Sequence, residues 1–292
     1  MSIDEGWTRV KRKSRQNPSK KTYTAEAHHL PETFTPRTHG LLRPPESLRA
    51  DHDKIRAQWL DSPAHEALIR LVDSHAQSLH IDKAVCLGIG TFDPEDGGRE
   101  AKRAAYVQLC ALSTLTSQLV SSPWGKNLFV SCSLSSRPTN IATEKYSKHS
   151  IECIFQEPIF TDSDKSFLTS LGHRVVSSPA AYSLIDNATL LLAVHLYRPI
   201  YAAALQLNLP AIFIGTGWDV WDTVTMEHSS DLDNMKKMHS MYSRHAFPQD
   251  ITSTAFSSTS IYFMPPQDKS VVIQHTSQES TTEEDDGHRR QQ

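Results

Sequence analysis

The residues best suited to binding or chemistry follow the ends of short apolar segments. Gly88, Gly90 and Thr91 follow one such segment, and Glu157 and His195 each follow another. Two glycines one residue apart allow a tight turn that approaches a ligand, and the next helix can offer its first amides to an anion. A carboxylate after a second strand can accept hydrogen bonds from a ribose. A histidine can transfer protons, bind a metal or haem, or donate a hydrogen bond that holds a loop.

Two more glycines, Gly215 and Gly217, flank Thr216 at the end of a later apolar segment. In an open α/β sheet, ligands bind outside the carboxyl ends of the strands, where the strand order reverses. If the order is 3-2-1-4-5, the first and fourth strands are neighbours, and the glycine loop and the histidine face one crevice. The sequence thus predicts a small-ligand crevice formed by Gly88, Gly90, Thr91, Glu157, His195 and Gly215.

Each of these signals also has a structural interpretation. Asp93 stands where the third glycine of G-x-G-x-x-G belongs, so Gly88 and Gly90 also fit an ordinary turn. Glu157 lies much further from the glycines than the roughly 20 residues usual for a ribose-binding acid, and it also fits an exposed acid before a proline turn. His195 is the candidate for catalysis, and no other catalytic residue is assigned.

Several function classes lack their motifs. No H-E-x-x-H, P-loop or G-x-S-x-G motif occurs, which removes the main support for a metalloprotease, a Walker-type NTPase or an ordinary serine hydrolase. We interpret the cysteines as reduced, mostly buried thiols, and we expect no metal site, because C-x-x-C spacing is absent. They are Cys86, Cys110, Cys132 and Cys153.

The segments between these residues alternate as in an α/β fold. Apolar runs predict strands at residues 84–90, 151–155, 174–177, 188–194 and 210–214, with a further strand at 127–132 and an edge strand at 260–264. Helical periodicity predicts two helices within residues 48–79 and others at residues 100–120, 162–171 and 199–207. Met235, Met238 and Met241 fit the packing face of one more helix. The fold class is therefore α/β, a Rossmann-like, doubly wound, mostly parallel sheet with helices on both faces.

Composition divides the 292-residue chain into three parts. The composition predicts a disordered basic arm over residues 1–45, the folded domain over residues 46–268, and a disordered acidic tail rich in Ser and Thr over residues 269–292. The cluster around Lys11, Arg12 and Lys13 fits a solvated tail, but also a nuclear-import or phosphate-binding segment or a contact with nucleic acid.

The charge and hydropathy of the whole chain restrict its partners. A net charge of −3 gives no general attraction to nucleic acid or acidic lipid. No apolar stretch has the length of a membrane span, and the N-terminus lacks a signal-peptide pattern. We therefore expect no membrane partner and a cytoplasmic and/or nuclear location.

The order of several motifs resembles the "sensitivity to red light reduced" (SRR-like) domain family over roughly residues 50–265. Residues 85–92, V-C-L-G-I-G-T-F, are similar to its opening L-G-x-G segment, and Gln108-Leu109 to a Gln-Leu-Ala-like stretch. Residues 157–172, with E-P-I-F-T-D and then L-x-x-L-G, are similar to its D-P-x-F-T segment and the L-x-x-L-G that follows. His195, with Tyr201 six residues later, resembles its H-C-P-x-x-L-Y segment, and residues 255–263 resemble its closing strand.

The chain departs from the family pattern at three places. Glu157 replaces the aspartate of the second strand, and G-T-G-W at residues 215–218 differs from the common Gly-Asn. Leu196-Tyr197 replaces the Cys-Pro, so a haem-regulatory Cys-Pro ligand is not transferred to this chain.

The resemblance implies a regulatory protein. Family members are linked to light signalling and the circadian clock in plants, to haem biosynthesis and clock-gene expression in animals, and to microtubule-related processes in yeast, without an established reaction. We expect action through protein partners and through a crevice for a nucleotide-like ligand or haem, the cofactor being unknown. The alternative is a cofactor-binding, methyltransferase-like enzyme dependent on a nucleotide or S-adenosylmethionine. In that enzyme Gly88 and Gly90 hold the cofactor, Glu157 holds a ribose and His195 serves in acid–base chemistry.

Overall fold

The computed structural model describes residues 34–37, 40–95, 97–121, 150–224, 230–251 and 253–266. The acidic tail, the strand predicted at residues 127–132 and most of the basic arm, including Lys11, Arg12 and Lys13, lie outside these ranges. Two arginines assigned to the arm do contact the domain. Arg37 forms an ion pair with Asp93 at 2.6 Å, and Arg43 forms one with Asp51 at 2.6 Å.

Helices and strands alternate through most of these ranges. The helices are α1 (Pro45–Leu60), α2 (Pro63–His75), α3 (Arg99–Ser121), α4 (Asp162–Ser170), α5 (Arg198–Ala204), α6 (Trp218–Val224) and α7 (Asp233–Met241). The strands are β1 (Lys83–Leu87), β2 (Glu152–Gln156), β3 (Arg174–Val175), β4 (Thr189–Ala193), β5 (Ile212–Thr216), β6 (Ser243–Ala246) and β7 (Thr259–Phe263). Within the described ranges no helix is both long and apolar enough to cross a bilayer.

The strands form one sheet in the order β3-β2-β1-β4-β5-β7-β6. Strands β1 to β5 are parallel, and Lys83 of β1 is aligned with Glu152 on one side and with Thr189 on the other. The expected 3-2-1-4-5 order is therefore confirmed, and the strand order reverses between β1 and β4. The crevice is predicted at the carboxyl ends of these two neighbours.

The antiparallel end of the sheet differs from the sequence prediction. The strand predicted at the edge, β7, lies inside the sheet, where it pairs with β5 on one side and β6 on the other. The edge strand is β6, whose sequence S-R-H-A carries no apolar alternation because most of its side chains are exposed. Periodicity therefore gave no signal for it.

Alternate residues of each strand face two different apolar layers. Ala84 and Cys86 of β1 pack with helices α1 to α4, whereas Val85 and Leu87 pack with the layer that contains α5 and α7. Helices thus cover both faces of the sheet, as expected for a doubly wound fold.

The methionine-spaced segment forms helix α7. Met235 and Met238 are buried and pack against the sheet, which confirms the interpretation of this segment as a packing face for these two residues. Met241 is 51% exposed, so the interpretation is wrong there. Helix α7 ends at Met241, where the chain turns into β6.

One histidine of α1 is buried on the side of the sheet that helices α1 to α4 cover. The His52 side chain is almost fully buried, its ring is 5.8 Å from the ring of Phe167, and neither ring nitrogen has a hydrogen-bond partner. Burial lowers the pKa of His52 against the opposing effect of Asp53, and burial also lowers the pKa of His173 to about 4. Burial therefore disfavours the protonated form of both imidazoles in the folded state.

We predict that acid destabilises the fold partly through His52. The unfolded chain binds a proton at this histidine below a pH of about 6.5, whereas the folded chain resists it, so the free energy of unfolding falls as pH decreases. His52→Phe should lose less stability than the wild type between about pH 7.5 and 5.5, measured by urea unfolding. His80→Phe, at an exposed histidine, is the control. Equal losses in wild type and His52→Phe would contradict the prediction.

Candidate functional site

The glycine loop after β1 lies directly beside the segment that follows β4. Gly88 and Gly90 have φ values of +66° and +82°, a left-handed conformation that other residues rarely adopt. A Cβ atom at Gly88 would overlap the side chain of Leu196, whereas one at Gly90 would meet nothing within 4 Å. The leucine side chain therefore covers the first glycine, at the position where a nucleotide-binding loop leaves room for its ligand.

The carboxylate of Glu157 binds the second glycine of this loop. Its Oε2 accepts a hydrogen bond from the Gly90 amide at 3.0 Å, and its Oε1 accepts one from the Ile159 amide at 3.1 Å. Burial raises the pKa of Glu157, although the two amide hydrogen bonds oppose this effect. Both carboxylate oxygens thus bind backbone amides of the protein itself. The Gly90 amide, which could bind a phosphate oxygen, is occupied by a carboxylate of the same chain.

A second carboxylate, Asp164, holds the next two residues of the loop. It is fully buried, and it accepts hydrogen bonds from the Thr91 hydroxyl at 2.8 Å and the Phe92 amide at 3.0 Å. It also accepts the Thr161 amide at 2.8 Å and the Thr161 hydroxyl at 2.9 Å. The Asp164 amide in turn donates to the Thr161 hydroxyl oxygen at 3.2 Å, which completes a capping box at the start of α4. The loop after β1 and the turn after β2 are therefore joined by two carboxylates.

Sequence reasoning assigned no site role to Asp164 or Leu196. The T-x-x-D spacing of Thr161 and Asp164 before a helix is a signal for the capping box. It gave no indication that the same carboxylate binds Thr91 and Phe92, some 70 residues earlier. Nor does any local pattern show that Leu196 covers Gly88, because this contact depends on the pairing of β1 with β4.

His195 lies at the predicted edge of the crevice but bonds away from Glu157. Its ring is exposed, and Nε2 lies 2.7 Å from the carbonyl oxygen of Ser257, to which it donates. Within the described ranges no hydrogen bond joins His195 to Glu157. The backbone of His195 has a φ of +56°, which is uncommon for a residue with a side chain. Of the roles considered for this histidine, the geometry matches a donor that holds a loop, here the one before β7.

Gly215 serves close packing between β4 and β5. A Cβ there would lie 2.6 Å from the Ala193 carbonyl oxygen and 3.1 Å from the Tyr201 ring. The buried Tyr201 hydroxyl donates to that carbonyl at 2.5 Å and accepts the Thr216 amide at 3.1 Å. Tyr201 therefore joins the carboxyl ends of both strands. The predicted cofactor role of Gly215 stays a prediction, like those of Gly88, Gly90, Thr91, Glu157 and His195.

The cysteines provide no reactive thiolate within the described ranges. Cys86, Cys110 and Cys153 are free and buried, as predicted, whereas Cys132 lies outside these ranges. Burial raises the pKa of Cys110 to about 12 and that of Cys153 to about 11, so both remain protonated thiols at neutral pH. In the same ranges no cluster of three or more His, Cys, Asp or Glu side chains is arranged to hold a metal.

We predict that Asp164→Ala destabilises the fold by about 3 kcal/mol or more, because it leaves the buried amides of Phe92 and Thr161 without acceptors. Asp162→Ala is the matched control, since this exposed aspartate lies in the same helical turn and, within the described ranges, its side chain pairs with Lys165 at 3.1 Å. The control should cost less than about 1 kcal/mol. Urea unfolding measures both values, and similar losses would contradict a special role for Asp164.

A second prediction concerns the covering of Gly88. Gly88→Ala and Gly90→Ala each impose a left-handed conformation on alanine, which costs about 1–2 kcal/mol. Gly88→Ala should cost about 1–3 kcal/mol more, because its Cβ overlaps Leu196. This extra loss should disappear in a Leu196→Ala background. A double-mutant cycle by urea unfolding tests it, and strictly additive effects would show that Leu196 does not fill this space.

Comparison with known proteins agrees with the motifs on which the site is built. The family model described as the SRR1 domain matches residues 68–263, about two thirds of the chain. No curated protein and no solved structure is significantly similar to this chain. The matched range begins in α2 and ends with β7, and it includes the glycine loop, both carboxylates and His195. The chain therefore belongs to the SRR1 domain family.

Proposed function

We propose that this chain is a regulatory protein that acts by binding protein partners, with a role in circadian or light-type signalling, in gene expression or in the regulation of haem biosynthesis. The resemblance to the SRR-like family supplies these processes. A cytoplasmic and/or nuclear location is part of the same proposal.

The observation that carries the proposal is the state of the crevice between β1 and β4. Leu196 covers Gly88, and Glu157 takes the amide of Gly90. A dinucleotide-binding site of this fold keeps the glycine loop open so that the pyrophosphate can approach the backbone. A phosphate at the Gly90 amide would have to displace a carboxylate and would meet its negative charge. The crevice contacts therefore favour a structural junction over a cofactor site.

The alternative enzyme also has an observation in its favour. His195 is exposed at the carboxyl end of β4, and its backbone is held in a left-handed conformation. Uncommon backbone conformations are concentrated at active sites, where the surrounding structure enforces them. In this alternative the histidine acts on a substrate next to a nucleotide or S-adenosylmethionine.

The substitution His195→Ala separates the two functions. Ser257 is the one hydrogen-bond partner of the His195 ring within the described ranges, so we expect the variant to fold. In a host that lacks the gene, the variant should restore the levels of those transcripts that loss of the gene alters. His80→Ala, at another exposed histidine, is the matched control. Loss of complementation at unchanged protein level and melting temperature would contradict the proposal and favour the enzyme.

Ligand binding gives an independent test with the full chain. S-adenosylmethionine, NAD, ATP and haem are added separately, and the melting temperature is measured for wild type and His195→Ala. A ligand at about 100 times its Kd stabilises a protein by about 2.7 kcal/mol. We expect each ligand to give the same shift, or none, in both proteins. A shift present only in the wild type would show that the crevice binds that ligand.

A further inference from the structure

A positively charged cleft lies between α1 and the beginning of α3, apart from the crevice. It has a volume of about 280 Å³. The charged residues that line it are four cations and one carboxylate, namely Lys54, Arg99, Lys102, Arg103 and Asp51. The chain as a whole carries a net charge of −3, so this excess of positive charge is local.

The single carboxylate of the cleft is already neutralised. Asp51 receives the Lys102 ammonium at 2.6 Å and the Arg43 guanidinium at 2.6 Å. Nearby, Arg37 is paired with Asp93. Lys102, Arg43 and Arg37 therefore have acidic partners within the protein.

The other cations of the cleft have no such partners. Within the described ranges, Lys54, Arg99 and Arg103 form no ion pair, and Arg103 donates to the neutral side-chain oxygen of Gln58 at 3.0 Å. Lys54, Arg99 and Arg103 are exposed, so water screens their mutual repulsion without removing it, and cations near the start of α3 are also disfavoured by the helix dipole. An anion in the cleft removes both penalties.

We propose that the α1–α3 cleft binds a compact anion that carries two or more phosphate groups. Guanidinium groups donate paired hydrogen bonds to phosphate oxygens, and lysine adds a mobile positive charge. The volume of the cleft lies just below the range for pockets that hold drug-sized molecules, which suits a diphosphate-sized group. The proposal uses no residue of the crevice and does not rest on the proposed function.

Isothermal titration of the full chain with sodium pyrophosphate tests this site, in about 150 mM NaCl without divalent cations. We expect one site with a micromolar Kd, and binding at least tenfold weaker in Lys54→Gln/Arg99→Gln. The control variant is Arg70→Gln/Arg174→Gln, which removes the same charge from exposed arginines outside the cleft. Its Kd should equal that of the wild type.

Three results would overturn the proposal: no binding at millimolar pyrophosphate, equal affinity in the two double variants, or equal affinity for sulfate at the same ionic strength. Thermal melts establish that each variant is folded, and the single substitution Lys54→Glu, at an exposed side chain, serves if the double variant is not. An ATP-induced shift that Lys54→Gln/Arg99→Gln abolishes belongs to the cleft. One that His195→Ala abolishes belongs to the crevice, so the two proposals fail separately.

Discussion

The candidate site depends on the hydrogen bonds that the buried carboxylate of Asp164 accepts. This carboxylate accepts hydrogen bonds from the loop after β1 and from Thr161, the residue that caps α4, and no solvent reaches it. A buried carboxylate is tolerable only when donors surround it, so the loop and the helix start must adopt the conformations that supply them. Glu157, nearer the surface, likewise accepts a hydrogen bond from the Gly90 amide of the loop. Glu157 and Asp164 therefore shape the glycine loop of this chain.

The result is a Rossmann-like sheet with an altered switch point. The strand order places the glycine loop beside the end of β4, as in nucleotide-binding folds. Leu196, from the β4 side, lies against Gly88, and Glu157, from the β2 side, accepts the amide of Gly90. Function is set by the site and not by the sheet, so the fold alone assigns no nucleotide to this chain.

The sequence was sufficient for the parts of the fold that depend on local apolar pattern. The buried parallel strands are continuous apolar runs, and α3 and α4 follow helical periodicity, so their positions were predicted to within a few residues. Strand β6 was not predicted because its sequence has no apolar alternation, and helix α6 was not predicted because its seven residues are too few to show a clear helical period, although Trp218 and Trp221 pack against the core. The residues of the site were found through their position at strand ends, whereas their partners were not. His195 bonds Ser257, 62 residues later, and only the assembled sheet brings them together.

The two edges of the sheet bear on how this protein associates with others. β3 has only two residues, and β6 is a short strand that exposes the side chain of Arg244. Short edges and charged side chains hinder the addition of a foreign strand, which protects a sheet against edge-to-edge aggregation. Recruitment of another chain by extension of this sheet is therefore disfavoured. The partner binding proposed above would then use side chains on the helical faces, where a change of partner requires only surface substitutions and leaves the core untouched.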